Sequence, residues 1–336
     1  ALNAIEKEKQ ISKDIILEAI ENSLLAACKN QFGKSENIRV NIDRETGEVK
    51  VFADYEVVED DMIEDDALQI GITEAKLRFR DDVEVGEKVS TEVTPKNFGR
   101  IAAQKAKQVV VQKIREEERK VLYVQYLEKE REVITGIVQR YSGKNVCINL
   151  GRVDAILMES EQVRGEHFRP TEHIKLYVVE VKDTPKGPRI TVSRSHPEFV
   201  KRLFEEEVTE IQDGIVTIES IAREAGSRTK IAVSTVDPNV DAVGACVGMN
   251  GSRVNAIVNE LRGEKIDIVN WSDMPEIFIE NALSPAVVMD VSIDEYEKTA
   301  RVIVPENQLS LAIGKEGQNA RLAAKLTGYK IDIKCE

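Results

Sequence analysis

Residues 244–269 read GACVGMNGSRVNAIVNELRGEKIDIV, with Gly248 and Gly251 three apart between two apolar-patterned segments. Val243, Cys246 and Val247 precede the pair at i, i+3 and i+4, and Val254, Ile257, Val258 and Leu261 follow on one helical face. The spacing predicts two short helices joined by a turn. Such a turn demands backbone angles that side chains resist, and glycine adopts them without Cβ strain. For a lone GxxG, that conformational role is explanation enough.

The device occurs twice. Residues 311–334 read LAIGKEGQNARLAAKLTGYKIDIK, and Leu309, Ala312 and Ile313 stand at the same offsets from Gly314 as Val243, Cys246 and Val247 from Gly248. A second turn, Gly314 to Gly317, leads into a second helix and a second KIDI strand. Before each turn come a helix and two strands: PEFVKRLFEEEV, GIVTIESIARE and TKIAVST in the first unit, PEIFIENALS, AVVMDVSID and TARVIVP in the second. One residue between Gly251 and Lys265 is all that offsets the two registers, so the chain carries an internal repeat.

The chain has 336 residues, enough for two to four domains, with 42% hydrophobic and 32% charged residues. Aromatics make up only 5%, so no aromatic-lined pocket is expected. No apolar run approaches the roughly 18 residues of a membrane span, and no signal peptide opens the chain, which makes the cytoplasm the expected compartment. Ala1 at the start reads as a trimmed or processed terminus. Cys28, Cys147, Cys246 and Cys335 never form CxxC, and His167, His173 and His196 show neither metal spacing nor a nucleophile. Neither a metal nor a cofactor is expected, and no catalytic residue stands out. The net charge of −13 argues against nucleic acid when averaged over the chain, but the charge is uneven. Residues 54–66 hold eight acids and no base, while residues 223–265 hold six bases and five acids and residues 311–336 five bases and three acids.

Residues 3–32 read as a helix that Ser12 can cap and Gly33 stops, with Ile16, Ile20 and Leu24 on its apolar face. A hairpin turning at Thr46 and Gly47 follows, and residues 97–130 form a helix about 50 Å long. Residues 133–192 carry about five short strands, which fits a small OB-type barrel or a short sandwich.

A β-β-helix-GxxG-helix-β order resembles the type II KH domain, whose glycine loop clamps the backbone of about four single-stranded nucleotides. A barrel followed by two such units, behind a helix-rich acidic domain, resembles the NusA family of bacterial transcription factors. The strings VGACVGMNGSRVNAIVNELRGEKIDIV, AIGKEGQNARLAAKLTGYKIDI and TPKNFGRIAAQKAKQVV carry that likeness, which covers essentially the whole chain. It implies an α+β multidomain protein: an α/β N-terminal domain with a long helix (1–130), an S1-type OB barrel (131–196), and tandem type II KH domains (197–277 and 278–336). It implies RNA contacts at Gly248, Met249, Asn250, Gly251, Ser252 and Arg253, and at Gly314, Lys315, Glu316, Gly317, Gln318, Asn319 and Arg321.

It further implies a monomeric, non-enzymatic regulator of pausing, termination and antitermination. Its partners would be RNA polymerase, nascent single-stranded RNA and other antitermination factors, and polymerase would dock on the N-terminal face of Ile16, Ile20 and Leu24. Two departures from the family pattern stand out. Asn250 occupies a position where Lys or Arg is common, and the barrel has only Tyr141 and Phe168 nearby for stacking. Two other readings fit the modules. One is an accessory part of a ribonuclease, for which only Asp60-Asp61 and Asp65-Asp66 could gather Mg²⁺. The other is a KH protein that holds ribosomal RNA during assembly.

Overall fold

A computed structural model describes residues 2–9, 11–32 and 36–336. They form two compact units, Ala1–Val121 and Leu122–Glu336.

The first unit opens with α1 (Leu2–Lys9) and α2 (Lys13–Phe32), where the sequence suggests one helix. The second helix starts from Ser12, whose carbonyl accepts the Ile16 amide at 3.3 Å. The expected stop at Gly33 lies outside the described residues. Strands β1 (Ile38–Ile42) and β2 (Val49–Val58) form the expected hairpin. Its turn is fixed by Asp43, whose Oδ1 accepts from the Glu45 and Thr46 amides at 2.9 and 2.6 Å. β3 (Gln69–Gly71) runs parallel to β2, α3 (Ile72–Arg78) follows, and β4 (Lys88–Glu92) pairs antiparallel with β2.

Ile16 and Leu24 are 0% exposed and Ile20 is 4% exposed. They form the core with Val40, Ile42 and Val51 of the hairpin and with Phe98 and Ala102. This corrects the expectation of a docking face: an apolar stripe with a sheet beside it is buried by that sheet. The acidic stretch is likewise partly engaged in local structure. Asp60 accepts from the Thr73 amide at 3.0 Å in the first turn of α3, and Asp65 accepts from the Ala67 amide at 2.9 Å.

Helix α4 (Phe98–Leu127) spans 30 residues. Phe98 and Ala102 near its start belong to the first core, whereas Leu122, Tyr123 and Tyr126 near its end pack into the barrel, where the Tyr126 hydroxyl donates to the Leu150 carbonyl at 2.9 Å.

In the second unit, β5 (Val133–Ser142), β6 (Asn145–Asn149), β7 (Asp154–Leu157), β8 (His173–Lys182) and β9 (Arg189–Ser193) close into a barrel in the order β5-β6-β7-β9-β8. Register shifts at Val138/Arg140 and Val178/Glu180 bend the two long strands enough to close it. Gly136 lies where a Cβ would come within 2.3 Å of Ile148 Cγ2, so only glycine fits the packed interior there.

Two similar modules follow. The first holds α5 (Pro197–Glu207), α6 (Thr209–Gln212), β10 (Val216–Glu224), β11 (Arg228–Thr235), α7 (Ala242–Val247), α8 (Ser252–Glu260) and β12 (Lys265–Asn270). The second holds α9 (Pro275–Ala282), β13 (Asp290–Asp294), β14 (Thr299–Val304), α10 (Leu309–Ile313), α11 (Gln318–Thr327) and β15 (Lys330–Cys335). In each sheet the middle strand pairs antiparallel with the strand before it and parallel with the last. The repeat read in the sequence is therefore a repeat of topology.

The modules share cores. Ala222, Ala232 and Val269 of the first sheet pack in one cluster with Phe278, Ile279, Leu322 and Leu326 of the second module. Buried Lys230 reaches across, donating to the Ser284 carbonyl at 2.8 Å while sitting 3.0 Å from Asp267 Oδ2. Arg194, 1% exposed, ties the barrel to the first module: it donates to both Glu166 oxygens at 2.7 Å, to the Lys175 carbonyl at 2.8 Å and to the Glu260 carbonyl at 2.9 Å.

Candidate nucleic-acid interface

The two glycine turns take the same conformation. Gly248 has φ 75° and ψ 171°, and Gly314 has φ 77° and ψ 172°. This region is open essentially to glycine alone. The third residue of each turn is left-handed, Asn250 at φ 53° and ψ 28° and Glu316 at φ 55° and ψ 26°. The closing glycines, Gly251 and Gly317, are left-handed at φ 75° and 74°. The first glycine of each turn is also crowded. A Cβ on Gly248 would meet Arg253 Cγ at 2.8 Å, and one on Gly314 would meet the Asn319 amide nitrogen at 2.8 Å. Around Gly317 the nearest atom is Arg321 Nη1 at 3.9 Å, so angle alone demands that glycine.

Each turn delivers the chain into a helix whose N-cap is the closing glycine and has no side-chain cap. The first amides of α8 and α11 are thus not satisfied by a capping side chain, and the positive ends of the helix dipoles lie at the turns. That combination favours an anion such as a phosphate. Met249 is 84% exposed, Asn250 and Ser252 are exposed in the same turn, and Lys315 and Glu316 are exposed in the second. The preceding helices offer apolar flanks, with Leu311 45% and Ile313 37% exposed and Val243 and Val247 half-buried. Cys246 sits beneath with its thiol pushed up to about 11 by burial, so it is a packing residue.

Four expected contact residues are otherwise engaged. Arg253 donates to the Ala245 carbonyl at 2.6 Å and to Glu210 at 2.7 Å, latching α8 back onto α7. Asn319 is 2% exposed and performs the matching task in the second module, donating to the carbonyls of Ala312 and Leu283 at 3.0 Å. An amide buried under the turn supports the loop and does not face a ligand. Gln318 and Arg321 reach the first module, where Gln318 donates to Glu224 at 2.9 Å and to Ser227 at 2.7 Å. Glu224 is not evident from the sequence, because nothing in REAGSR signals a partner more than 90 residues away.

Family models described as the NusA N-terminal domain, the NusA-like first KH domain and the NusA-like second KH domain match residues 1–120, 194–271 and 275–336. The protein of Bacillus subtilis named transcription termination/antitermination protein NusA is 56% identical over 100% of this chain and 90% of its own length. The chain belongs to the NusA family. A NusA of the same name from Thermus thermophilus is 41% identical over 98% of this chain and 88% of its own. A solution structure of the N-terminal domain of NusA from B. subtilis, 52% identical, covers 35% of this chain and 93% of that one, with a TM-score of 0.32. The two glycine turns thus lie in NusA-like KH domains, a module that binds RNA. Among the described residues no helix is long and apolar enough to cross a membrane, and no cluster of His, Cys, Asp or Glu could hold a metal.

Proposed function

We propose that this chain is an RNA-binding transcription termination/antitermination factor. It holds single-stranded nascent RNA on its two glycine turns while residues 1–130 associate with RNA polymerase, and so modulates pausing, termination and antitermination. Residues 131–196 act as an S1-type barrel, and 197–277 with 278–336 as one RNA platform in a cytoplasmic, non-enzymatic protein. The observation that carries this reading is the recurrence of one backbone conformation at two uncapped helix N-termini, each in a NusA-like KH domain. The shared core between the two modules supports joint action, because rigidly linked sites raise the effective concentration of the second contact.

The test uses the full chain. In a transcription assay on purified polymerase it should change pause lifetimes, and a pull-down from extract should recover polymerase subunits. Recovery of ribosomes without polymerase, and pauses of unchanged length, would point to a ribosomal-RNA assembly role in its place.

A further inference from the structure

Away from the glycine turns, a cleft of about 450 Å³ opens where the barrel meets α5, lined by Arg131, Tyr177, Val179, His196, Glu198 and Arg202. Its lining leaves several donors without an acceptor. Arg131 is exposed, has a left-handed backbone at φ 68°, and makes no ion pair or side-chain hydrogen bond among the described residues. The Tyr177 residue is 5% exposed, and its hydroxyl is likewise without a partner among them. Arg202 gives Nη1 to Glu205 at 2.6 Å and keeps Nη2 3.8 Å from Glu132, but its Nε is buried with no partner. His196 accepts the Glu198 amide on Nδ1 at 3.1 Å, which assigns the proton of the neutral ring to Nε2. The ring stacks on Tyr177 with centroids 4.9 Å apart, so both are held in place.

Four residues that carry donors therefore line a cavity of small-molecule size, with Glu198 the one carboxylate in the lining and Glu205 and Glu132 flanking Arg202. A buried donor without a partner is costly, and a ligand that accepts its hydrogen bond removes that cost. Guanidinium groups match phosphate oxygens in geometry and charge. We propose that this cleft is a second binding site, distinct from the glycine turns, for the phosphate of a nucleotide. Arg131 and Arg202 Nη2 take the phosphate oxygens, Tyr177 adds a neutral donor, and Glu198 accepts from a ribose hydroxyl or a base N–H. Glu205 occupies Nη1 of Arg202, whereas Nη2 lies 3.8 Å from Glu132, beyond hydrogen-bond distance, which leaves Nη2 as its donor for the ligand. A free nucleotide and a phosphate within an RNA strand present the same chemistry to these groups.

The experiment titrates the full chain calorimetrically with inorganic phosphate and with AMP, and by anisotropy with a labelled single-stranded RNA of roughly a dozen nucleotides, enough to span two KH sites of about four each. Wild type is compared with Arg131→Ala, which alters an exposed side chain, and Tyr177→Phe, which keeps the ring stack. AMP should bind, about tenfold more weakly in Arg131→Ala, which removes a charge-assisted hydrogen bond, and about threefold more weakly in Tyr177→Phe. A Met249→Asp change in the first glycine turn should leave AMP binding unmoved. If AMP binds and RNA affinity is the same in both cleft variants, the ligand is a free nucleotide. If only RNA affinity falls in Arg131→Ala, the ligand is a strand phosphate. The proposal is overturned if neither phosphate nor AMP binds at millimolar concentration while RNA affinity is unmoved by Arg131→Ala. It is equally overturned if AMP binds wild type and both variants alike.

Discussion

Arg321 donates from Nε and Nη2 to the two carboxylate oxygens of Glu224, 97 residues earlier, at 2.5 and 3.1 Å. Arg321 belongs to the helix that leaves the second glycine turn, and its Nη1 donates to the Glu316 carbonyl within that turn at 3.0 Å. Glu224 ends the first strand of the preceding module. The second turn is therefore positioned in part by the first module. Arg321, with Gln318 assisting, pulls the Glu224 carboxyl down to about 2 from its ordinary 4.5.

A carboxylate depressed in the folded state stabilises fully above its unfolded value, and that stability is lost as pH falls from about 4.5 to about 2. Arg321 is 47% exposed, so solvent screening leaves the pair only a small part of what the shift alone would suggest. Glu224→Gln should unfold slightly more easily in urea at pH 7, with the gap to wild type closing through that acidic window. A gap of constant size from pH 7 to pH 2 would show that the ion pair is not its source.

The glycines of one turn should differ in tolerance. Gly314→Ala combines a glycine-only conformation with a Cβ 2.8 Å from backbone, and should cost about 3 kcal/mol or more. Gly317→Ala meets open space and should cost about 1 kcal/mol, the strain of a left-handed alanine. Equal losses on thermal unfolding would mean the turn does not have this geometry.

Glu316 holds a left-handed conformation that asparagine tolerates far better, as Asn250 does at the equivalent position. Glu316→Asn should stabilise the second module by about 0.5 kcal/mol while removing an anion from the loop. A destabilised variant would count against the conformational reading of both third positions.

Asn250 and Glu316 also mark where sequence is legible and where it is not. The spacing of Gly248, Gly251, Gly314 and Gly317 and the apolar offsets around them are enough to place two turns between helices, because local periodicity and glycine both act over a few residues. Asn250 reads in sequence as a missing cation, although its preference for left-handed angles is the better signal. Ile16, Ile20 and Leu24 do share one helix face, but a stripe cannot say whether strand or partner covers it. The roles of Arg253, Asn319 and Arg321 depend on carbonyls and carboxylates brought near only by tertiary packing. Lys230 offers a hint, as a lysine within the alternating strand TKIAVST, yet its acceptor Ser284 comes from the next module.

Arg194 and Glu166 are 1% and 5% exposed at the side chain, so removing one charge strands the other. Arg194→Met should destabilise the second unit by about 3–5 kcal/mol, and adding Glu166→Met should recover much of that loss. Urea unfolding of the single and double variants measures both. A double variant as unstable as the single would show that the hydrogen bonds to the Lys175 and Glu260 carbonyls, and not the charge pair, hold the junction.

Both glycine turns are proposed to bind the RNA backbone. The most direct test is the affinity of the full chain for single-stranded RNA across a salt series, with Met249→Asp and Asn250→Asp in the first turn and Lys315→Asp in the second. The variant should melt as wild type does, bind at least about tenfold more weakly, and show a log-log salt slope reduced by about one for each phosphate no longer neutralised. Wild-type affinity and an unchanged slope in a variant that folds normally would contradict the claim.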